Sequence, residues 1–304
     1  MKSINKTTLF LILTFLISFS LAGIYKLFAG SYSDRIGFTI LGAIYMFVPA
    51  ISVIIVQKFI HHEKLKSDLM ISFKINKWFF VAWLLMPIII FSTIGISLLF
   101  PNVTFNHDMT GFLSRFQSFL TPEQIEQAKM SLSTSPINPV SLILIQGLIA
   151  GVTINAFAAF GEELGWRGFL LRAFKEMSFI KASMVIGFIW GIWHAPLILM
   201  GHNYPQHPQV GVLMMIILCI LLTPLLIYVT LKSKSVIAAA IMHGTMNAVG
   251  GISIMVLNGG NDLTVGIAGI AGFITLIIFL FILFIYDYFI SKDKILIKKI
   301  SENL

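Results

Sequence analysis

Eight stretches of the chain are apolar around their whole circumference and free of Asp, Glu, Lys and Arg. They are Thr7–Tyr25, Ile36–Gln57, Trp78–Phe100, Val140–Phe160, Ala182–Met200, Val210–Leu231, Ser235–Leu257 and Leu263–Tyr286. About 20 such residues in a helix cross a hydrocarbon core about 30 Å thick. Strands of a membrane barrel would alternate apolar and polar positions. None of these stretches does, so the pattern predicts an all-α, polytopic membrane bundle of about eight transmembrane helices, one integral domain over residues 1–304. The first stretch follows Lys2 and Lys6 as a signal peptide would, yet no small-residue cleavage pattern follows it, and it is expected to be retained. The one long polar connection, residues 101–139, is expected to be an extracytoplasmic loop. Within it Thr121-Pro122-Glu123-Gln124 has the form of a helix start, with Thr as N-cap, Pro at the first position and Gln closing a capping box.

Composition narrows the class. Hydrophobic residues make up 57% of the 304 and charged residues 11%, against about 25% charged in soluble proteins. That balance excludes a soluble enzyme, a disordered chain and a nucleic-acid-binding surface. The single cysteine, Cys219, excludes an intrachain disulfide and a cysteine-rich metal site. The net charge of +8 is explained by its distribution. With the N-terminus inside, only Lys26, Arg35, Arg115 and Lys129 of the 21 Lys and Arg fall on outer segments, and the other seventeen fall on inner ones. This asymmetry predicts a multi-pass plasma-membrane protein with cytoplasmic N- and C-termini. The Lys- and Ile-rich composition points to a bacterium of low genomic GC.

In such a chain the informative residues are polar groups within or at the ends of spans. Three clusters stand out: Glu162-Glu163 with Arg167, Trp190 with His194 and Pro196, and His243 with Asn247. His194 and His243 are the only histidines expected inside spans; the other five fall in loops. At 1.5 Å per residue His194 lies about 18 Å, and His243 about 12 Å, from the inner ends of their helices. The clusters are therefore expected at or on the cytoplasmic side of mid-membrane. Glu163 and Arg167 are four apart and can pair on one face, while Glu162 is rotated about 100° away and can point elsewhere. Pro196 favours a break just past His194. Gly187 and Gly191, spaced GxxxG, suit close helix packing.

Taken one at a time, each cluster has a structural reading: an ion pair, a solvated helix end, a packing histidine, interhelical hydrogen-bond glue. Together, on three helices at comparable depth, they suit the activation of water. Glu162 can act as general base with His194 orienting or sharing the proton, and His243 and Asn247 can donate to a developing oxyanion. Alternatively Glu162, His194 and His243 can hold zinc with a fourth position for water, although the spacing is not that of H-E-x-x-H proteases. Either version hydrolyses a carbonyl compound. A non-catalytic membrane immunity or peptide-binding protein, and a proton relay or transporter, remain competing classes.

These clusters resemble the signature of the CPBP family of CAAX proteases and bacteriocin-processing proteins, also called the Abi family. Its pattern, EExxxR, FxxxH and HxxxN on consecutive membrane helices, is met by Glu162-Glu163-xxx-Arg167 and His243-xxx-Asn247. Trp190 stands where Phe is usual before His194. The resemblance spans about residues 142–250. It implies an intramembrane endopeptidase, with Glu162 and His194 activating water, His243 and Asn247 forming the oxyanion site, and Glu163 and Arg167 fixing the arrangement. It further implies an apolar or lipidated peptide as substrate, reached from the cytoplasmic leaflet, no nucleic acid, and either no metal or zinc.

Overall fold

The computed structural model describes residues 5–28, 30, 34–106, 121–134 and 138–304. All eight apolar stretches are helical over most of their length, the last only from Ile270, but not all cross in one piece. Among the described residues six helices are long and apolar enough to span on their own. We name α1 (Lys6–Leu27), α2 (Arg35–Val53), α3 (Lys77–Ser97), α4 (Pro122–Thr134), α5 (Pro139–Val152), α6 (Ile154–Glu163), α7 (Phe179–Trp193), α8 (Pro208–Ser233), α9 (Val236–Val249) and α10 (Ile270–Ile285). The fourth expected span is α5 and α6, bent 49° where they join. The fifth, α7, has only 15 residues, and stops at His194 before a further turn of helix, Ala195–Leu199, that carries Pro196. This is the break that Pro196 predicts.

The bend has a local cause. Thr153, at φ −118° and ψ −104°, leaves the helical region, and its hydroxyl donates to the Ile149 carbonyl at 2.7 Å. Beyond the bend, α6 runs on through the wide, π-type turns of Leu164–Leu170 into Leu171–Ala173. Glu162 and Glu163 are thus held inside a continuing helix rather than at its end. Such wide turns carry an extra residue per ring and often occur at functional sites.

Helices α8 and α9 form the centre. Over their membrane-length stretches they are 56% buried, against 22% for α1 and α10. Helix α8 packs on α7, and α9 on α6, α5 and α3. Close approach explains the glycines. A Cβ at Gly187 would lie 2.7 Å from Ile220 Cα, and one at Gly191 2.5 Å from Ile216 Cα. The outer helices present Ile12, Leu16, Ile278 and Phe281 to the surroundings, as helices facing lipid do.

The two ends of the bundle are built from the segments that the charge alternation groups together. At one end Lys6 pairs with Glu63, Lys232 with Asp293, and Ser178 bridges to Lys299. At the opposite end strand β1 (Thr104–Phe105) pairs antiparallel with β2 (Leu257–Asn258), and His207 pairs with Asp262. The expected start of α4 forms as read: Thr121 N donates to Gln124 Oε1 and Gln124 N to Thr121 Oγ1, at 3.0 and 3.3 Å. Residues 107–120 and 135–137 of the 101–139 connection lie outside the described residues.

Candidate active site

The acidic pair divides as its 100° rotation requires. Glu163 is fully buried and faces Arg167, with Nη1 donating to its Oε1 at 2.9 Å. The same oxygen receives His243 Nδ1 at 2.9 Å. Arg167 also donates through Nη2 to Thr223 Oγ1 at 3.0 Å. Glu163 thereby ties α6 to α9, and Arg167 ties the same turn to α8. Glu162 turns the other way and lines a cavity of about 500 Å³. Its Oε2 accepts from the Trp190 indole at 2.7 Å.

His194, His243 and Asn247 line that same cavity. The structure therefore gathers the four residues expected to touch substrate around one space, with Glu163 and Arg167 behind them. Each ring nitrogen can be followed. His194 Nδ1 sits 2.8 Å from the Trp190 carbonyl. A carbonyl only accepts, so this nitrogen carries the proton and Nε2 keeps its lone pair. His243 Nδ1 donates to a carboxylate, so its Nε2 donates only from a doubly protonated ring. Asn247, one helical turn beyond His243, is exposed.

Trp190 is the residue that sequence reasoning undervalued. From the sequence it read only as an aromatic standing where the resembled family has Phe. In the structure it is the hub of the site: its indole N–H holds Glu162, its carbonyl holds His194, and the Arg167 guanidinium lies 4.3 Å from its ring centroid. The ring also meets His243 edge-on at 5.3 Å between centroids. Tyr45, from α2, closes another wall and donates to the Trp193 carbonyl at 2.7 Å. Nothing in the pattern of α2 marked it. The only hint at Trp190 was an indole donor where a phenyl ring would have none.

Residues 141–249, which carry all six polar side chains, match the family model described as type II CAAX prenyl endopeptidase Rce1-like. This stretch is similar to that family. A curated relative, CAAX prenyl protease 2 of Methanococcus maripaludis, is 29% identical over 252 residues, covering 79% of this chain and 82% of its own length. The motifs and these matches agree in making residues 141–249 similar to CAAX proteases, and the apolar helices make the chain a multi-pass membrane protein.

Two expectations about residues 141–249 are narrowed by the geometry. The zinc set Glu162, His194 and His243 finds no support: among the described residues no three His, Cys, Asp or Glu side chains gather as a metal site. The second concerns depth. His194 caps the far end of α7, and the cavity lies in the half of the bundle away from the termini. Its rim includes His202, Asn203, Gln206 and Asp262, from the connections at that far end. Counting residues from the inner helix ends gave each cluster a distance along its own helix. It could not show towards which end the space between the helices opens.

Proposed function

We propose that the chain is an intramembrane endopeptidase of a bacterial plasma membrane, cleaving a peptide bond of an apolar or lipidated peptide by general-base activation of water. One observation carries this: Glu162, His194, His243 and Asn247, from three separate spans, line one largely apolar cavity, with Glu162 pinned by the Trp190 N–H. Glu162 takes a proton from water as the oxygen attacks the scissile carbonyl. The unprotonated Nε2 of His194 orients that water. The developing oxyanion is met by Asn247 and by Nε2–H of His243 in its doubly protonated form. Two carboxylates and one guanidinium beside it supply the charge balance for that form. The proton held by Glu162 then passes to the leaving amine as the carbon–nitrogen bond breaks. Preorganised donors in a water-poor site stabilise such a charge without reorganising; losing one costs about 2.7–4 kcal/mol.

The test is digestion of a peptide library by the purified protein in detergent, wild type beside Glu162→Ala, with and without chelator. Cleavage that disappears in the variant while thermal unfolding is unchanged, and that survives chelation, supports the reading. Absence of cleavage by the wild type, or cleavage equal in the variant, overturns it. Loss on chelation with recovery on adding zinc would replace the glutamate route by a metal route.

A further inference from the structure

We propose that the substrate reaches this site from the extracytoplasmic face, as an internal apolar stretch of an exported peptide rather than as a cytoplasmic C-terminal tail. This deepens the endopeptidase reading and rests on it for the reaction. On α2, α7, α8 and α9 the lining residues occupy the part towards the 201–207 connection, and Glu162 of α6 forms the floor. Helix α2 begins at that end and contributes Phe38 to Met46; α8 begins there and contributes Met215 to Leu222; α7 and α9 end there and contribute Trp190 to His194 and His243 to Asn247. Towards the termini the space is sealed by Trp166, Arg167, Thr223 and Glu163, none with any exposed surface. A peptide from the terminal side would have to displace a buried ion pair, whose disruption leaves an uncompensated charge.

The charge distribution supplies the direction. Seventeen of the 21 Lys and Arg lie on segments of the terminal end, the cytoplasmic one by the positive-inside rule. The mouth then faces outward.

The lining chemistry supplies the substrate class. Among the described residues no Lys or Arg lines the cavity, and its carboxylates are Glu162 at the floor and Asp262 at the rim. A free peptide carboxylate would be desolvated there with no Lys or Arg to pair it and beside like charge, since the one cationic ring, a doubly protonated His243, is already paired with Glu163. An uncharged apolar stretch meets Phe38, Met215, Leu218 and Ile254 instead.

The single native cysteine, Cys219, lines the cavity but is only 1% exposed, so wild type labelled in parallel gives the background. Gln206→Cys and Lys66→Cys would be treated with a membrane-impermeant maleimide in sealed right-side-out vesicles, the wild type serving as blank. We expect labelling at position 206 without permeabilisation and at position 66 only after it. In parallel, a cleavable apolar peptide with a hydrophilic, impermeant tag at each end would be given to right-side-out and inside-out vesicles. Cleavage should be confined to the right-side-out preparation, and amidating the peptide's C-terminus should leave it unchanged. Labelling at position 206 only after permeabilisation, cleavage confined to inside-out vesicles, or a requirement for a free carboxylate overturns the proposal. If no peptide is cleaved in either orientation or in detergent, the endopeptidase reading fails, and the labelling result still decides which face the cavity opens to.

Discussion

At the scale of single residues, function turns on who holds whom. Trp190→Phe keeps the ring that Arg167 and His243 pack against and removes only the indole donor to Glu162. Hydrogen bonds to charged groups contribute about 1.5–3 kcal/mol, so a loss of about tenfold or more in kcat is expected, with KM and thermal stability little changed. A residue that mattered only for packing would give Phe wild-type turnover and lose activity only as Leu. Glu163→Ala acts differently, stranding Arg167 and His243 in the interior. Breaking a buried pair costs about 3–5 kcal/mol, so this variant should unfold at markedly lower temperature, and Glu163→Ala combined with Arg167→Met should regain part of the loss. The i, i+4 spacing of Glu163 and Arg167 was legible from the chain, because one helix carries both. The Trp190–Glu162 bond was not: it joins side chains 28 positions apart on different helices, and depends on how the two helices face.

At the scale of elements, small residues and breaks set that facing. Gly187 and Gly191 let α7 lie against α8 closely enough for Trp190 and His194 to share a cavity with α8 side chains. Gly187→Leu should cost about 1–3 kcal/mol through overpacking, measured by thermal unfolding in detergent, and should lower activity by moving Trp190 off Glu162. The GxxxG spacing announced this contact; the partner helix it did not name. The 49° bend at Thr153 was not announced at all, since an uninterrupted apolar run carries no mark of where a helix leaves its axis. At the mouth, the connection after Met200 is clasped to that before α10. Asp262 Oδ2 accepts from the Gln206 and His207 amides at 2.7 and 3.2 Å. In this connection, outside the spans, burial depresses the His202 imidazole to about 4. The ring packs 5.7 Å from that of Phe38. The neutral ring favours the folded mouth above its ordinary value near 6.5, and this contribution is lost as pH falls towards 4. Limited proteolysis should therefore cut the 201–207 connection faster at pH 4.5 than at pH 7, and His202→Gln should flatten the dependence.

At the scale of the whole molecule, the chain is a bundle with a sealed end and an open one. The sealed end gathers both terminal regions, with the C-terminal segment docked where Phe179 N donates to the Lys298 carbonyl at 3.0 Å. The open end has the mouth, the β1–β2 pair and the His207–Asp262 clasp. Because one end seals the site, substrate sidedness and chain orientation become a single question, and sealed vesicles answer both.

The order of residues determined by itself what each local stretch can do. Uninterrupted apolar runs can only be helices in lipid, where every backbone polar group must find its partner within the segment. Four-residue spacing puts Glu163 beside Arg167 and His243 beside Asn247 on any helix. Alternating Lys and Arg content sorts the connections into two ends before any coordinate is known. Only the tertiary structure decided that Glu162 belongs to Trp190, that Glu163 belongs to His243 as well as Arg167, and that the cavity opens away from the termini. Those outcomes depend on which helix faces meet and where they diverge, and that is set by packing between segments far apart in the chain.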